Sequence, residues 1–128
     1  MAVELGRMKG IGIDAVEVDR FRTVLRRTPG VATRLFTDGE RAAGARRRDP
    51  AQRLAARFAA KEAVMKALGV GLGAFAFHDV EVVNAPSGQP ELILRGKAAA
   101  LADLRGVSAW QLSLTHTDMT AHAVAVAL

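Results

Sequence analysis

Residues 58-FAAKEAVMKALG-69 put Lys61, Glu62 and Lys66 inside a segment that otherwise reads as buried helix. Its other residues are apolar or small, and it continues a helical pattern that begins near Ala51 and runs to Leu68. Helical spacing gathers Leu54, Phe58, Met65 and Leu68 on one stripe, with Glu62 beside its edge. Glu62 and Lys66 are four apart and share a face. An ion pair, a charged rim and a chemical site are the three readings of those charges. As a surface pair Glu62 and Lys66 contribute about 0.2–0.5 kcal/mol. At the rim of a pocket the carboxylate suits a cation and the ammonium suits a phosphate.

Working outward, 69-GVGLG-73 stops the helix. It lacks a GxxxxGK[ST] pattern and follows a helix instead of opening one, so it is not read as a phosphate loop. Upstream, 8-MKGIGID-14 reads as a short strand, with Ile11 and Ile13 alternating with glycines and Asp14 at its end. Glycines at 10 and 12 let another chain segment or a ligand approach closely. Residues 15-AVEVDRFRTVLRRTPG-30 read as a helix with Val18, Phe21, Val24 and Leu25 on its apolar face. Asp14 fits its N-cap, with Glu17 in capping-box spacing, and a cap carboxylate keeps a second oxygen for a metal. Thr37 and Glu40 stand at capping-box spacing for another short helix, and Arg46–Arg48 with Asp49-Pro50 read as a solvated loop.

Downstream, Asp79–Ala85 and 91-ELILR-95 form a hairpin across 86-PSGQP-90, and 97-KAAALADLR-105 is an alanine-rich helix. A second hairpin joins 109-AWQLSLTH-116 to 121-AHAVAVAL-128. The order β, α, (α), α, β, β, α, β, β predicts an α+β fold, a mainly antiparallel sheet of hairpins packed on a long helix. The 128 residues suit one domain spanning 1–128, without linker or repeat.

Half of the residues are hydrophobic but only 5% are aromatic, so the core is built from alanine and aliphatic side chains. Without cysteine, disulfides and thiolate metal sites are excluded. No apolar run approaches the roughly 20 residues of a membrane span. The stretch 1-MAVELGRMKG-10 lacks a secretory pattern, so a cytoplasmic protein is expected. The net charge of +5 favours an acidic partner or a phosphorylated ligand.

His116 closes the strand 112-LSLTHT-117. It reads either as a structural histidine or as a phosphate donor and switchable acid. His78 and His122 read as structural, and the three histidines have no zinc-type spacing. Arg20, Arg22, Arg26 and Arg27 mark the first helix, Arg20 and Arg27 on one face. They form a solvated face offset by Glu17 and Asp19, or a docking surface for an acidic helix.

Three blocks, 10-GIGIDAVEVDRF-21, 57-RFAAKEAVMKALG-69 and 112-LSLTHT-117, resemble the small holo-acyl-carrier-protein synthases, the short 4′-phosphopantetheinyl transferases. The likeness spans nearly the whole chain, the PSGQP turn included. It implies Mg²⁺ held by Asp14 and Glu62, with Lys66 near the coenzyme A phosphates. It implies Thr115 and His116 lining the coenzyme A site, Arg57 near that site, and His116 beside Asp14, Glu62 and Lys66 in the catalytic set. Arg20 matches the arginine on the helix that docks the acidic apo-acyl-carrier protein, and Arg26 and Arg27 extend that basic surface. The implied reaction is Mg²⁺-dependent phosphoryl transfer, in which the carrier's serine attacks the phosphate that bears pantetheine and releases adenosine 3′,5′-bisphosphate. Glu62, a water on the metal, and Lys66 all remain open as proton acceptor. The family further implies a homotrimer with sites between subunits, His116 serving Asp14 and Glu62 of a neighbour. It implies work in fatty-acid or polyketide biosynthesis.

Two other readings compete. A nucleic-acid-binding module fits the charge and the Arg46–Arg48 run but lacks a stacking platform, with one Trp and no Tyr. A carrier-binding module without catalysis leaves the Asp14, Glu62, Lys66 and His116 set without a purpose. The expectation is therefore a transferase that binds neither nucleic acid nor membrane.

Overall fold

A computed structural model describes residues 7–128 of the chain. Residues 1–6, part of the stretch read for a secretory signal, lie outside the described residues. The elements are β1 (Gly10–Glu17), α1 (Val18–Arg27), α2 (Val31–Leu35), α3 (Asp38–Ala45), α4 (Pro50–Ala67), a 3₁₀ turn (Phe77–Asp79), β2 (Val80–Asn84), β3 (Pro90–Leu94), α5 (Gly96–Leu104), β4 (Trp110–His116) and β5 (Thr120–Ala127). The α+β architecture is as expected, but its strands form two antiparallel sheets: β1-β5-β4 and the hairpin β2-β3.

Helix α4 is the centre of the molecule. Asp49 caps it, accepting from the Gln52 amide, and Pro50 stands in its first turn, where a missing N–H costs nothing. It is buried on almost every side, from Ala51 to Ala67, so its pattern could not single out one inward stripe. Along β5, Ala121, Ala123, Ala125 and Ala127 face this helix, and Val124 and Val126 lie on the sheet's other side. Strand β1 comes closer still. A Cβ at Gly12 would stand 1.9 Å from the Ala63 carbonyl oxygen, and one at Gly10 equally close to that of Ala67. The alanine-rich composition is therefore the signature of a helix lying almost directly on strand backbones.

Two sequence readings need correction at β1. The strand runs on to Glu17, because β5 pairs with it residue by residue, Asp14 opposite Ala123 and Glu17 opposite Thr120. Asp14 is thus a mid-strand residue and caps no helix; α1 begins at Val18, with Glu17 before it offering no side-chain cap. In α1, Val18 and Phe21 are buried as expected, but Val24 is 40% exposed. The Thr37–Glu40 capping box of α3 is present in full.

Lys61 has a structural explanation. Its ammonium is fully buried and donates to Glu40 Oε1 at 2.8 Å, to the Val80 carbonyl at 2.7 Å and to the Phe77 carbonyl at 3.0 Å. Glu40 in turn accepts from the Thr37 and Val82 amides. Burial pulls the Lys61 pKa below the usual lysine value, and the Glu40 carboxylate pulls it back up. One fully bonded pair thus ties α4 to α3 and to the start of β2. A run of phenylalanines closes the neighbouring core: Phe36 lies edge-on to Phe21, Phe21 stacks on Phe58, and Phe58 leans on Phe77.

Candidate active site

Alternation along β1 decides what meets α4. Gly10, Gly12 and Asp14 share a strand face. The two glycines bring the backbones together, and the next residue on that face is a carboxylate. Asp14 therefore arrives beside the turn of α4 that carries Glu62 and Lys66. Lys66 Nζ donates to Asp14 Oδ1 at 3.1 Å and to the Ile13 carbonyl at 2.9 Å. Asp14 and Glu62 line one cleft of about 350 Å³, roofed by α1 through Arg20, Phe21 and Val24. Burial raises the Glu62 pKa, the charge of Asp14 raises it further, and Lys66 opposes both.

That environment suits a cation. A carboxylate that is partly desolvated and stands beside a second one favours a positive charge nearby. Oxygen donors on two rigid elements suit Mg²⁺, which keeps other positions for water and phosphate. Among the described residues no group of three or more His, Cys, Asp or Glu is gathered for a metal.

His116 and Arg57 lie elsewhere. They line a second cleft of about 890 Å³ together with Arg22, Arg47, Arg48 and Arg53. Arg57 is buried and donates to Asn84 Oδ1 at 2.9 Å. Burial, then the neighbouring Arg53 charge, draws its pKa down to about 10. Arg53 is lowered too, by burial and then by Arg47 and Arg46. Such crowding of like charge prepares a site for a polyanion. Thr115 precedes His116 on β4, so it projects from the opposite, exposed face of the sheet. Arg20 stands at the first cleft, while Arg26 and Arg27 are exposed in the last turn of α1. One chain thus brings Asp14, Glu62 and Lys66 together but leaves His116, Thr115 and Arg57 apart from them.

Residues 10–127 match the model of the 4′-phosphopantetheinyl transferase superfamily. The chain belongs to that family.

Similarity to individual transferases of this kind is extensive. The holo-[acyl-carrier-protein] synthase of Frankia alni is 52% identical over 118 residues, which are 92% of this chain and 95% of that protein. The crystal structure of the Neisseria meningitidis holo-[acyl-carrier-protein] synthase superposes with a TM-score of 0.85 at 32% identity, covering 94% of this chain and 98% of that one. That of the Helicobacter pylori enzyme, in complex with coenzyme A, gives 0.79 at 28%, covering 92% and 99%.

Within this transferase scaffold, sequence reasoning missed most of the arginine cleft, because Arg46–Arg48 read as a solvated loop. A signal was available. Arg53 and Arg57 are four apart on one helix, and the arginine run directly precedes that helix.

Proposed function

We propose that this chain is a holo-[acyl-carrier-protein] synthase. It transfers the 4′-phosphopantetheine group of coenzyme A to a serine of an apo-acyl-carrier protein. As the serine hydroxyl gives up its proton to a base or water in the cleft, its oxygen forms a bond to the phosphorus that carries pantetheine. The bond from that phosphorus to the bridging oxygen breaks, and adenosine 3′,5′-bisphosphate leaves with the electron pair. The observation that carries this reading is the placement of Asp14 and Glu62 on one cleft beneath the basic helix α1, with Lys66 bonded to Asp14.

The residues divide the work. Asp14 and Glu62 would hold Mg²⁺, which when bound supplies charge neutralisation to the pyrophosphate. Lys66 offers an ammonium to the same phosphates, and phosphoryl transfer draws on such positioning and charge more than on covalent catalysis. Arg57 and His116 form the coenzyme A side, which Thr115, on the other face of β4, would reach only across a subunit interface; the crowded guanidiniums of the second cleft support a phosphate-rich occupant there. Arg20, Arg26 and Arg27 dock the acidic carrier, and Phe21 and Val24 offer apolar contact beside Arg20. The nucleophile comes from the partner. The cleft between α1 and α4 leaves it room.

The chain works as one domain and as a homotrimer with sites between subunits. The outer face of β1-β5-β4 supports this: Ile11 and Ile13 are 59% and 62% exposed there, beside Val124 and Val126. So does the separation of His116 from Asp14 and Glu62, which a neighbouring chain would bridge. No helix among the described residues is long and apolar enough to cross a membrane, and the cytoplasm is the proposed compartment.

The test is direct. The protein is incubated with coenzyme A, Mg²⁺ and an apo-carrier, and the carrier is weighed by mass spectrometry. The expected result is addition of phosphopantetheine, lost in Asp14→Ala and Glu62→Ala while circular dichroism stays native. Absence of the mass increase across fatty-acid, polyketide and peptide-synthesis carriers refutes the reading. Ile13→Glu should dissociate the assembly in light scattering and abolish transfer with it; an active monomer would refute the shared site.

A further inference from the structure

Lys66 does more in this structure than wait for a phosphate. It sits in the last turn of α4, where the Val64, Met65 and Lys66 carbonyls already accept from the Leu68, Val70 and Gly69 amides. Its side chain crosses to β1 instead and spends two donors there, on Asp14 Oδ1 and on the Ile13 carbonyl. The Lys66 side chain is 54% exposed and that of Asp14 only 17%, so the ammonium reaches in from solvent to cover a carboxylate that is mostly shielded. Asp14 and Glu62 line the same cleft, and Lys66, one turn from Glu62 on α4, is the cation bonded to Asp14.

We propose that Lys66 is a placeholder for the divalent cation, holding Asp14 through its ammonium in the metal-free protein and being displaced when the metal binds. The proposal rests on the reading of Asp14 and Glu62 as metal ligands. An exposed ion pair of this kind is weak enough to be given up to a divalent ion. Displacement returns the ammonium to solvent at the mouth of the cleft, where a substrate phosphate can take it. Metal binding and phosphate binding are thereby coupled through one side chain, each favouring the other. A lysine that only neutralised phosphate would leave metal binding without coenzyme A untouched.

The experiment uses the full chain and no coenzyme A. Mn²⁺ binding is followed by the loss of the free-ion signal in electron paramagnetic resonance, for the wild type, Lys66→Met and Arg20→Met. Arg20 lines the same cleft and controls for charge acting through space. If Lys66 covers the site about nine-tenths of the time, Lys66→Met binds Mn²⁺ about tenfold more tightly and Arg20→Met does not. In parallel, acetylation of wild-type Lys66 is timed by mass spectrometry against exposed Lys97, with and without Mg²⁺. Mg²⁺ should speed reaction at Lys66 and leave Lys97 unchanged. Equal tightening in both variants, or acetylation indifferent to Mg²⁺, overturns the placeholder while leaving the metal site standing. Absence of Mn²⁺ binding in all three proteins overturns the metal reading and this proposal together.

Discussion

Replacing Lys61 by methionine removes a buried charge without removing the side chain's bulk. The ammonium lost is fully buried and serves three acceptors at 2.7–3.0 Å. Its removal leaves the Glu40 carboxylate, 4% exposed, with only the Thr37 and Val82 amides, and takes one donor from each of two carbonyls. Breaking one side of a buried ion pair costs about 3–5 kcal/mol. For a chain of this size that lowers Tm by about 10–20 °C. Urea unfolding followed by circular dichroism measures it, at one fixed protein concentration because assembly adds to apparent stability. Adding Glu40→Gln neutralises the orphaned carboxylate, so the double variant should recover about 1–3 kcal/mol of coupling. Transfer per folded molecule should persist, since the pair points away from the Asp14 cleft. A loss below about 1 kcal/mol, or strict additivity of the two substitutions, would refute the clamp.

Three other expectations follow from the site. Glu62→Gln abolishes transfer yet stabilises the metal-free protein at neutral pH. The folded state raises the Glu62 pKa above its ordinary 4.5, so its contribution to stability is complete below that value and is lost as pH rises through the raised one. The gain in Tm from the neutral isostere should therefore appear at pH 7 and shrink towards pH 4; a uniform gain would contradict the linkage. Gly12→Ala forces a Cβ against the Ala63 carbonyl, costs about 1–3 kcal/mol or more, and reduces transfer roughly a hundredfold by moving Asp14 relative to Glu62, both read from unfolding and initial rates. Arg26→Glu with Arg27→Glu slows carrier association and flattens its salt dependence in stopped-flow, with the KM for coenzyme A unchanged.

The elements legible in the sequence were those written in local rules. The Thr37–Glu40 box, the Gly69 stop and the PSGQP turn each lie within a few residues, and each stands where expected. Asp14 was picked out as a candidate on a partly wrong structural reason, as a cap at the end of a strand, and the fold sets it beside Glu62 from the middle of one. Its strand continues through Glu17 because Thr120 lies opposite, and a partner that distant leaves no local mark. Lys61 was opaque for the same reason, its carboxylate lying on another helix. The two clefts were opaque because the motif blocks name residues without saying which of them one chain can bring together. His116 and Glu62 look adjacent in a list of motifs and line different clefts in the fold.

The contact between β1 and α4 also bears on how such an enzyme can change. Where Gly10 and Gly12 meet the carbonyls of Ala67 and Ala63, no larger side chain fits without driving helix and strand apart. The geometry of the two carboxylates is thus inherited from positions that carry no chemistry and admit almost no variation. Diversification must be sought on α1 for new carriers and on the arginine loop for the phosphate-rich substrate, surfaces whose outward side chains can vary independently of that floor. A mutational library spread over those surfaces should yield altered partners, while one spread over β1 should yield mostly unfolded protein.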